Sequence, residues 1–269
     1  MRILFIGDIV GKPGRKIVQQ AVLPLIDRMS LDLVVANGEN SAAGSGITPA
    51  IYRELRQAGV AGLTLGDHIY RRREIVPILL NNKDIVRPAN YPSDAPGRDS
   101  MVLETFKGVR VGVVSLIGRV FMKPVDCPFA AANRVLDKFP KDIKVILVDF
   151  HAEATSDMQL MGRHLDGRAS AVLGTHTHVP TADETILPGG TAFQCDVGMT
   201  GPYESILGRR IERVLETTTT FNPTQFEVAV GDVRLSGTIV DVDPSTGKAT
   251  NIERLVVTEQ EAAGWRDDV

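Results

Sequence analysis

Arg2-Ile3-Leu4-Phe5-Ile6-Gly7-Asp8 opens the chain with a short apolar run that ends on a glycine and a carboxylate. The run is too short for a core helix, and its Ile, Leu and Phe content suits a strand buried on both faces. Similar runs return at residues 33–37, 62–65, 109–116, 145–150 and 171–174, each ended by a glycine or a polar residue. Between them, residues 14–28 and 49–58 space their apolar side chains at helical intervals, and Thr48 stands where an N-cap belongs. Strand alternating with helix predicts an α/β domain.

From about Gln225 the pattern changes. Residues 226–230, 233–242 and 252–257 read as strands joined by Gly231-Asp232 and by a turn over 244–247, an antiparallel meander. A second sheet packed on the first is the expected home for them. No low-complexity linker or internal repeat interrupts the chain, so a single domain over 1–269 is expected.

Composition narrows the function classes. A chain of 269 residues can bury a sizeable core without a structural metal or disulfide, so a bound metal would serve chemistry. The net charge is −3 and the longest basic run is Arg71-Arg72-Arg73, a solvated first helical turn or a small phosphate-steering patch. Neither reading makes a nucleic-acid groove. Cys127 and Cys195 lie far apart, no export signal is read at the start, and no apolar run has the length of a membrane span. A cytoplasmic protein is expected, and a homo-oligomer is compatible with the sequence.

The chemistry collects where the strands end. Asp8 follows the first run, Gly38-Glu39-Asn40 the second, Gly66-Asp67-His68 the third; His151 closes the run at 145–150, and Thr175-His176-Thr177-His178 follows the run at 171–174. In open α/β sheets ligands bind beyond the carboxyl ends of the strands. Four of the five histidines occupy these positions, and the fifth, His164, reads as a helix-surface residue. Carboxylates and imidazoles together suit a pair of divalent ions about 3.5–4 Å apart, which clamp the attacking and leaving oxygens of a phosphoryl displacement. Imidazole favours Mn, Fe, Co, Ni or Zn over Mg or Ca. A histidine left off the ions can protonate the departing oxygen.

The order Asp8, Gly38-Glu39-Asn40, Gly66-Asp67-His68, His151, Gly174-Thr175-His176-Thr177-His178 resembles the calcineurin-like metallophosphoesterase superfamily. Within it the chain is similar to the bacterial YmdB-type 2′,3′-cyclic-nucleotide 2′-phosphodiesterases. Further segments carry the likeness, among them Gly7-Asp8-Ile9-Val10-Gly11-Lys12-Pro13-Gly14-Arg15, Arg87-Pro88-Ala89-Asn90-Tyr91-Pro92, Gly118-Arg119-Val120-Phe121-Met122 and Asp149-Phe150-His151-Ala152-Glu153-Ala154-Thr155-Ser156. The resemblance runs over nearly the whole chain, to about Gly208, and is weaker beyond. It implies an α/β/β/α sandwich of four layers with two central sheets. It also implies two ions, iron or manganese: Asp8, Asn40 and His178 on one, Asp67, His151 and His176 on the other, Glu39 bridging them, and His68 as proton donor. Val10 stands where the broad superfamily has a histidine, and Asp67 where the family motif reads Gly-Asn-His.

The mechanism this implies is in-line attack on a small cyclic nucleotide by a hydroxide bridging the ions, with His68 protonating the 2′ oxygen to leave a 3′-nucleotide. The rival readings are a broader phosphodiesterase or phosphomonoesterase, and a metal-bound signalling protein whose turnover is weakened by Asp67. Arg119 is expected either to reach the substrate or to satisfy strand-end carbonyls. Residues 198–202 are expected to form a loop near the pocket or a plain turn, and Cys195 to be a buried strand residue. The segment 7–14 is expected to hold Asp8 in place.

Overall fold

Side chains alternate across a strand, so a strand that is apolar throughout must be covered on both faces. The computed structural model, which describes residues 1–265, meets this demand with stacked layers. The last four residues of the expected domain, 266–269, lie outside the described residues. In chain order the strands are β1 (Arg2–Ile6), β2 (Asp8–Ile9), β3 (Leu33–Asn37), β4 (Gly62–Thr64), β5 (Ser100–Glu104), β6 (Arg110–Ile117), β7 (Val145–His151), β8 (Ala171–Thr175), β9 (Thr185–Ile186), β10 (Ala192–Gln194), β11 (Met199–Pro202), β12 (Val233–Val242) and β13 (Ala249–Thr258). The helices are α1 (Gly11–Met29), α2 (Pro49–Gln57), α3 (Val76–Asn81), α4 (Pro128–Leu136), α5 (Thr155–His164), α6 (Ile211–Thr220) and α7 (Glu259–Gly264).

One sheet runs β2-β11-β12-β1-β3-β4, with β13 on the other side of β12; the other runs β5-β6-β7-β8-β10-β9. Parallel pairing joins β1, β3 and β4 in the first sheet and β6, β7, β8 and β10 in the second. Three hydrophobic clusters separate the layers. Leu4 and Ile6 of β1 join Val34 and Ala36 of β3 and the α1 face Ile17, Val18, Ala21 and Val22. The alternate residues Ile3, Phe5, Leu33 and Val35 meet Val111, Val113, Val145 and Leu147 of the second sheet. Val114, Val148 and Phe150 pack against Ala131, Ala132 and Val135 of α4 and Met158 and Met161 of α5. Helix, sheet, sheet, helix is therefore the layer order, as expected. Thr48 does cap α2, its hydroxyl accepting from the Ile51 N–H at 3.3 Å.

Three local expectations are corrected. The C-terminal strands do not build the second sheet, which comes from the middle of the chain. β12 is buried along both faces and inserts antiparallel beside β1, with Leu235 and Ile239 on the helix side and Val240 and Val242 between the sheets. Residues 226–230 form no strand; only an isolated bridge pairs Val228 with Arg209. Residues 199–202, expected as a loop or turn, are the buried strand β11, whose Met199 and Thr200 pair with Asp8 and Ile9. That pairing, with the close approach of Gly7 to Gly198 and of Gly14 to Thr200, holds the backbone of Asp8.

Candidate metal centre

β1, β3 and β4 of one sheet and β7 and β8 of the other all end on the same side, and their ends carry the eight residues singled out by sequence. Asp8 and Glu39 are fully buried, Asn40 is nearly so, and His151 is fully buried at the last position of β7. Asp67, His68, His176 and His178 are half-buried above them. The structure thus brings all eight together.

The first group centres on Asp67, His151 and His176. His151 Nε2 lies 3.1 Å from Glu39 Oε1, 3.5 Å from Asp67 Oδ1 and 3.0 Å from His176 Nδ1. One donor atom from each of Glu39, Asp67, His151 and His176 falls within 4.8 Å of the others. Asp67 Oδ1 is buried and accepts no hydrogen bond, a costly state for a carboxylate oxygen unless a cation answers it. The donor set fits a divalent ion.

The second group centres on Asn40, whose Nδ2 lies 3.3 Å from each of Asp8 Oδ1, Glu39 Oε1 and His178 Nε2; His178 Nε2 is 3.8 Å from Asp8 Oδ1. Oδ1 of the same amide accepts from His68 Nδ1 at 2.7 Å. An amide nitrogen has no lone pair for a cation, so binding one here requires a half-turn of the Asn40 amide, which exchanges its two atoms. Glu39 belongs to both groups.

The local backbone explains how acids come to lie so close. Glu39 Oε2 accepts from the His68 N–H and Asp8 Oδ2 from the His176 N–H, both at 3.0 Å. Gly66 has to be glycine because Glu39 and His151 press on its Cα; a Cβ would overlap both. His176 and His178 sit at φ +107° and +66°, a region that L residues rarely occupy. The turn between them is tied down by Asp196, fully buried, which accepts from the N–H and hydroxyl of Thr177, each at 2.9 Å, and from the Gly198 N–H at 2.7 Å. Burial, with the charge of Asp8 nearby, pushes Asp196 up to about 8.

Behind His151 runs a relay that sequence reasoning missed. Thr175 Oγ1 donates to Asp149 Oδ1 at 2.7 Å, so it accepts from His151 Nδ1 at 2.8 Å; Asn37 Nδ2 donates to Asp149 Oδ2 at 3.0 Å. This fixes a proton of His151 on Nδ1 and turns Nε2 toward Glu39 and Asp67. Burial pushes Asp149 up to about 6. A sequence signal existed: an aspartate inside an apolar strand, two residues before His151 and so on its face. On the other side of the cluster, His176 Nε2 faces Glu153 Oε2 at 3.1 Å, leaving Nδ1 for the cluster.

The field is strongly negative. Burial opposes charge on His151, but Glu39 and then Asp67 outweigh it and hold its pKa well above 6.5. Burial would raise Glu39 and Asp67, yet His151, with His68 second, keeps both below the usual carboxylate range. His176 is lowered by burial and by the charge of His151. A divalent cation would meet the same field that protonates His151.

The remaining candidates lie elsewhere. His164 bonds Asn133 Oδ1 at 3.0 Å and stacks edge-on against Phe129. Arg71, Arg72 and Arg73 are exposed, and the expected helical turn is a short 3-10 turn over Arg73–Ile75 leading into α3. Arg119 has an exposed side chain, and its backbone N–H donates to Asp157. Cys195 is buried as expected but lies one residue past β10, outside any strand, and burial pushes its thiol up to about 12, which disarms it as a nucleophile.

A family model described as YmdB-like protein matches residues 4–255. The chain belongs to the YmdB-like family. It is 44% identical over 259 residues to a Bacillus subtilis (strain 168) protein named 2′,3′-cyclic-nucleotide 2′-phosphodiesterase, covering 96% of this chain and 98% of that protein. A crystal structure of a Thermus thermophilus protein described as hypothetical superposes with a TM-score of 0.89 at 45% identity, covering 96% of this chain and 100% of that one. A Mycoplasma pneumoniae phosphatase superposes equally well, with a TM-score of 0.89 at 32% identity over 96% of this chain and 93% of the other. The YmdB-like chain is a hydrolase by family, and its two-sheet fold is that of the metallophosphoesterases. The family match runs well past Gly208, through β12 and most of β13.

Proposed function

We propose that the chain hydrolyses 2′,3′-cyclic nucleotides to 3′-nucleotides with two divalent ions, iron or manganese. Asp8, Asn40 and His178 would hold one ion and Asp67, His151 and His176 the other, with Glu39 shared. The observation that carries this reading is Glu39, fully buried and common to both groups of donors, at the floor of one pocket that also holds His68. When bound, the ions supply Lewis-acid polarisation of the phosphoryl group and a lowered pKa for water. The cavity, about 290 Å³, has room for a small substrate. The two unpaired cysteines support a cytoplasmic setting.

The chain's own part is to fix donors and move one proton. The Asp149–Thr175 relay keeps His151 Nε2 unprotonated toward the cluster once a cation replaces the proton. His68 Nδ1 is engaged by the Asn40 amide, which leaves Nε2 as the nitrogen that gives a proton to the departing 2′ oxygen. With the amide turned, Asn40 Nδ2 would donate to Nδ1 and Nε2 would carry the proton in the neutral ring. Without that turn Nδ1 carries the proton, and only the imidazolium could give one from Nε2.

Turnover of 2′,3′-cyclic AMP in Mn²⁺ or Fe²⁺, against 3′,5′-cyclic AMP and a phosphomonoester, tests the reading. Preference for the 2′,3′-cyclic substrate with 3′-AMP as product is expected; preference for the monoester would overturn it. The weak-turnover reading rests on Asp67 and predicts stoichiometric metal with negligible rate on all three. His68→Ala should lower kcat about 10²-fold or more while keeping two ions per chain. Loss of both ions in that variant would make His68 a support of the site.

A further inference from the structure

One cation stands in the wall of this pocket, and the mechanism so far gives it no work. Arg209 lies in the loop after β11 and lines the cavity with Glu39, Asn40, His68, His176 and His178. It is half-buried, and no carboxylate among the described residues pairs with it. Its guanidinium donates only to backbone carbonyls: Nη1 to Ala43 and to Phe226, each at 3.1 Å, and Nη2 to Gly44. Two N–H groups remain, on Nε and Nη2. Those two atoms share one edge of the planar guanidinium, the edge that grips two oxygens of a phosphate.

The surroundings are shaped to hold the group there. Ile206 and Arg209 exchange both backbone hydrogen bonds at 2.9 Å around Leu207 and Gly208, which take φ of +51° and +90°, a tight mirror-image turn. The same turn presents the Leu207 carbonyl to His178 Nδ1 at 3.0 Å, so it is anchored on the metal cluster itself. Across the pocket Gly44, at φ +80°, makes room for the guanidinium; a Cβ there would lie 2.6 Å from Arg209 Cζ. A permanently charged group that is partly desolvated, and satisfied only by neutral carbonyls, favours an anion at its open edge.

We propose that Arg209 is the anion-binding side chain of the pocket, gripping the phosphate of the substrate through its Nε/Nη2 edge. The assignment rests on the phosphodiesterase reading for the identity of the substrate, but not for the binding of an anion.

The test uses the whole manganese-loaded chain with inorganic phosphate as the probe, measured by calorimetry, beside KM and kcat for 2′,3′-cyclic AMP. Arg209→Gln should weaken phosphate binding about tenfold or more and raise KM more than it lowers kcat, with two manganese ions retained. Arg209→Lys should keep part of the affinity, since the charge survives and the fork does not. Phosphate affinity within twofold of the parent in both variants, with only Tm lowered, would overturn the proposal and leave Arg209 a staple between carbonyls. Manganese loss in both variants would also overturn it, making the Leu207 turn a support for His178. If phosphate binding depends on Arg209 but 2′,3′-cyclic AMP is not turned over, the anion site stands and the substrate reading falls.

Discussion

Asp67 brings a third carboxylate to a cluster that already holds Asp8 and Glu39. Its extra charge should tighten a bound cation yet lower the cation's effective charge and repel a phosphodiester. Asp67→Asn is therefore expected to keep two metal ions per chain and to raise kcat on 2′,3′-cyclic AMP; reduced turnover at full occupancy would count against this account. Thr175 has a different task, since it touches no cation and only passes the orientation of Asp149 to His151. Thr175→Val should lower manganese affinity about 10- to 100-fold, the usual cost of losing a group that orients a ligand. It should also lower stability by about 1–3 kcal/mol, because buried Asp149 loses a donor. Manganese titration and thermal melts read both, and an unchanged affinity would show that His151 needs no partner at Nδ1. Residue identity at the strand ends was legible in the sequence because those donors follow directly on apolar runs. Asp196 and Arg209 were not, because each acts on residues brought near only by other parts of the chain.

Strands and helices obey local pattern closely here. The expected runs at 33–37 and 233–242 match β3 and β12 to the residue, and that at 145–150 falls one short of β7. β11 escaped because a glycine and a proline in four residues read as a turn, whereas burial beside Asp8 makes them a strand. At the level of contacts between elements, Asp32 of the α1–β3 connection has two partners: Asp32 Oδ2 accepts from the Arg2 N–H at the start of β1 at 2.8 Å, and Oδ1 meets Lys107 Nζ, from the β5–β6 connection, at 2.7 Å. Burial would raise the Asp32 pKa, but Lys107 and the Arg2 N–H outweigh it, so the folded value lies below 3.8. A lowered carboxylate pKa stabilises the fold fully above the unfolded value and is lost as pH falls through the folded one. Asp32→Asn should therefore cost about 1 kcal/mol or less at pH 7, Lys107 being largely exposed, and less than that at pH 2. Urea unfolding at the two pH values checks this, and an equal loss at both would remove the charge from the explanation.

For the molecule as a whole, the decisive contact is long-range. β12 pairs with β1 from Arg2↔Asp241 to Ile6↔Gly237 and carries β11 and β13 as well. Ending the chain after Asp232 removes β12 and β13, opens an edge along β1 and frees β11, the strand that fixes Asp8. An insoluble or unfolded product that binds no manganese is expected, as read by gel filtration and circular dichroism. A soluble, metal-binding fragment would show that the first sheet closes without its last strands. What the sequence determined by itself was set by local covalent chemistry: the period of apolar residues named the strands, and the donors at their ends marked a place where a metal could be held. Which strand lies beside which was decided only by tertiary structure. An apolar strand requires cover on both faces but carries no mark of its neighbour, and the free edge of β1 was available to whichever later strand could match its register. The same reason hid Arg209, whose place in the pocket exists only once β11 and β12 have closed that edge and turned the loop between them back onto His178.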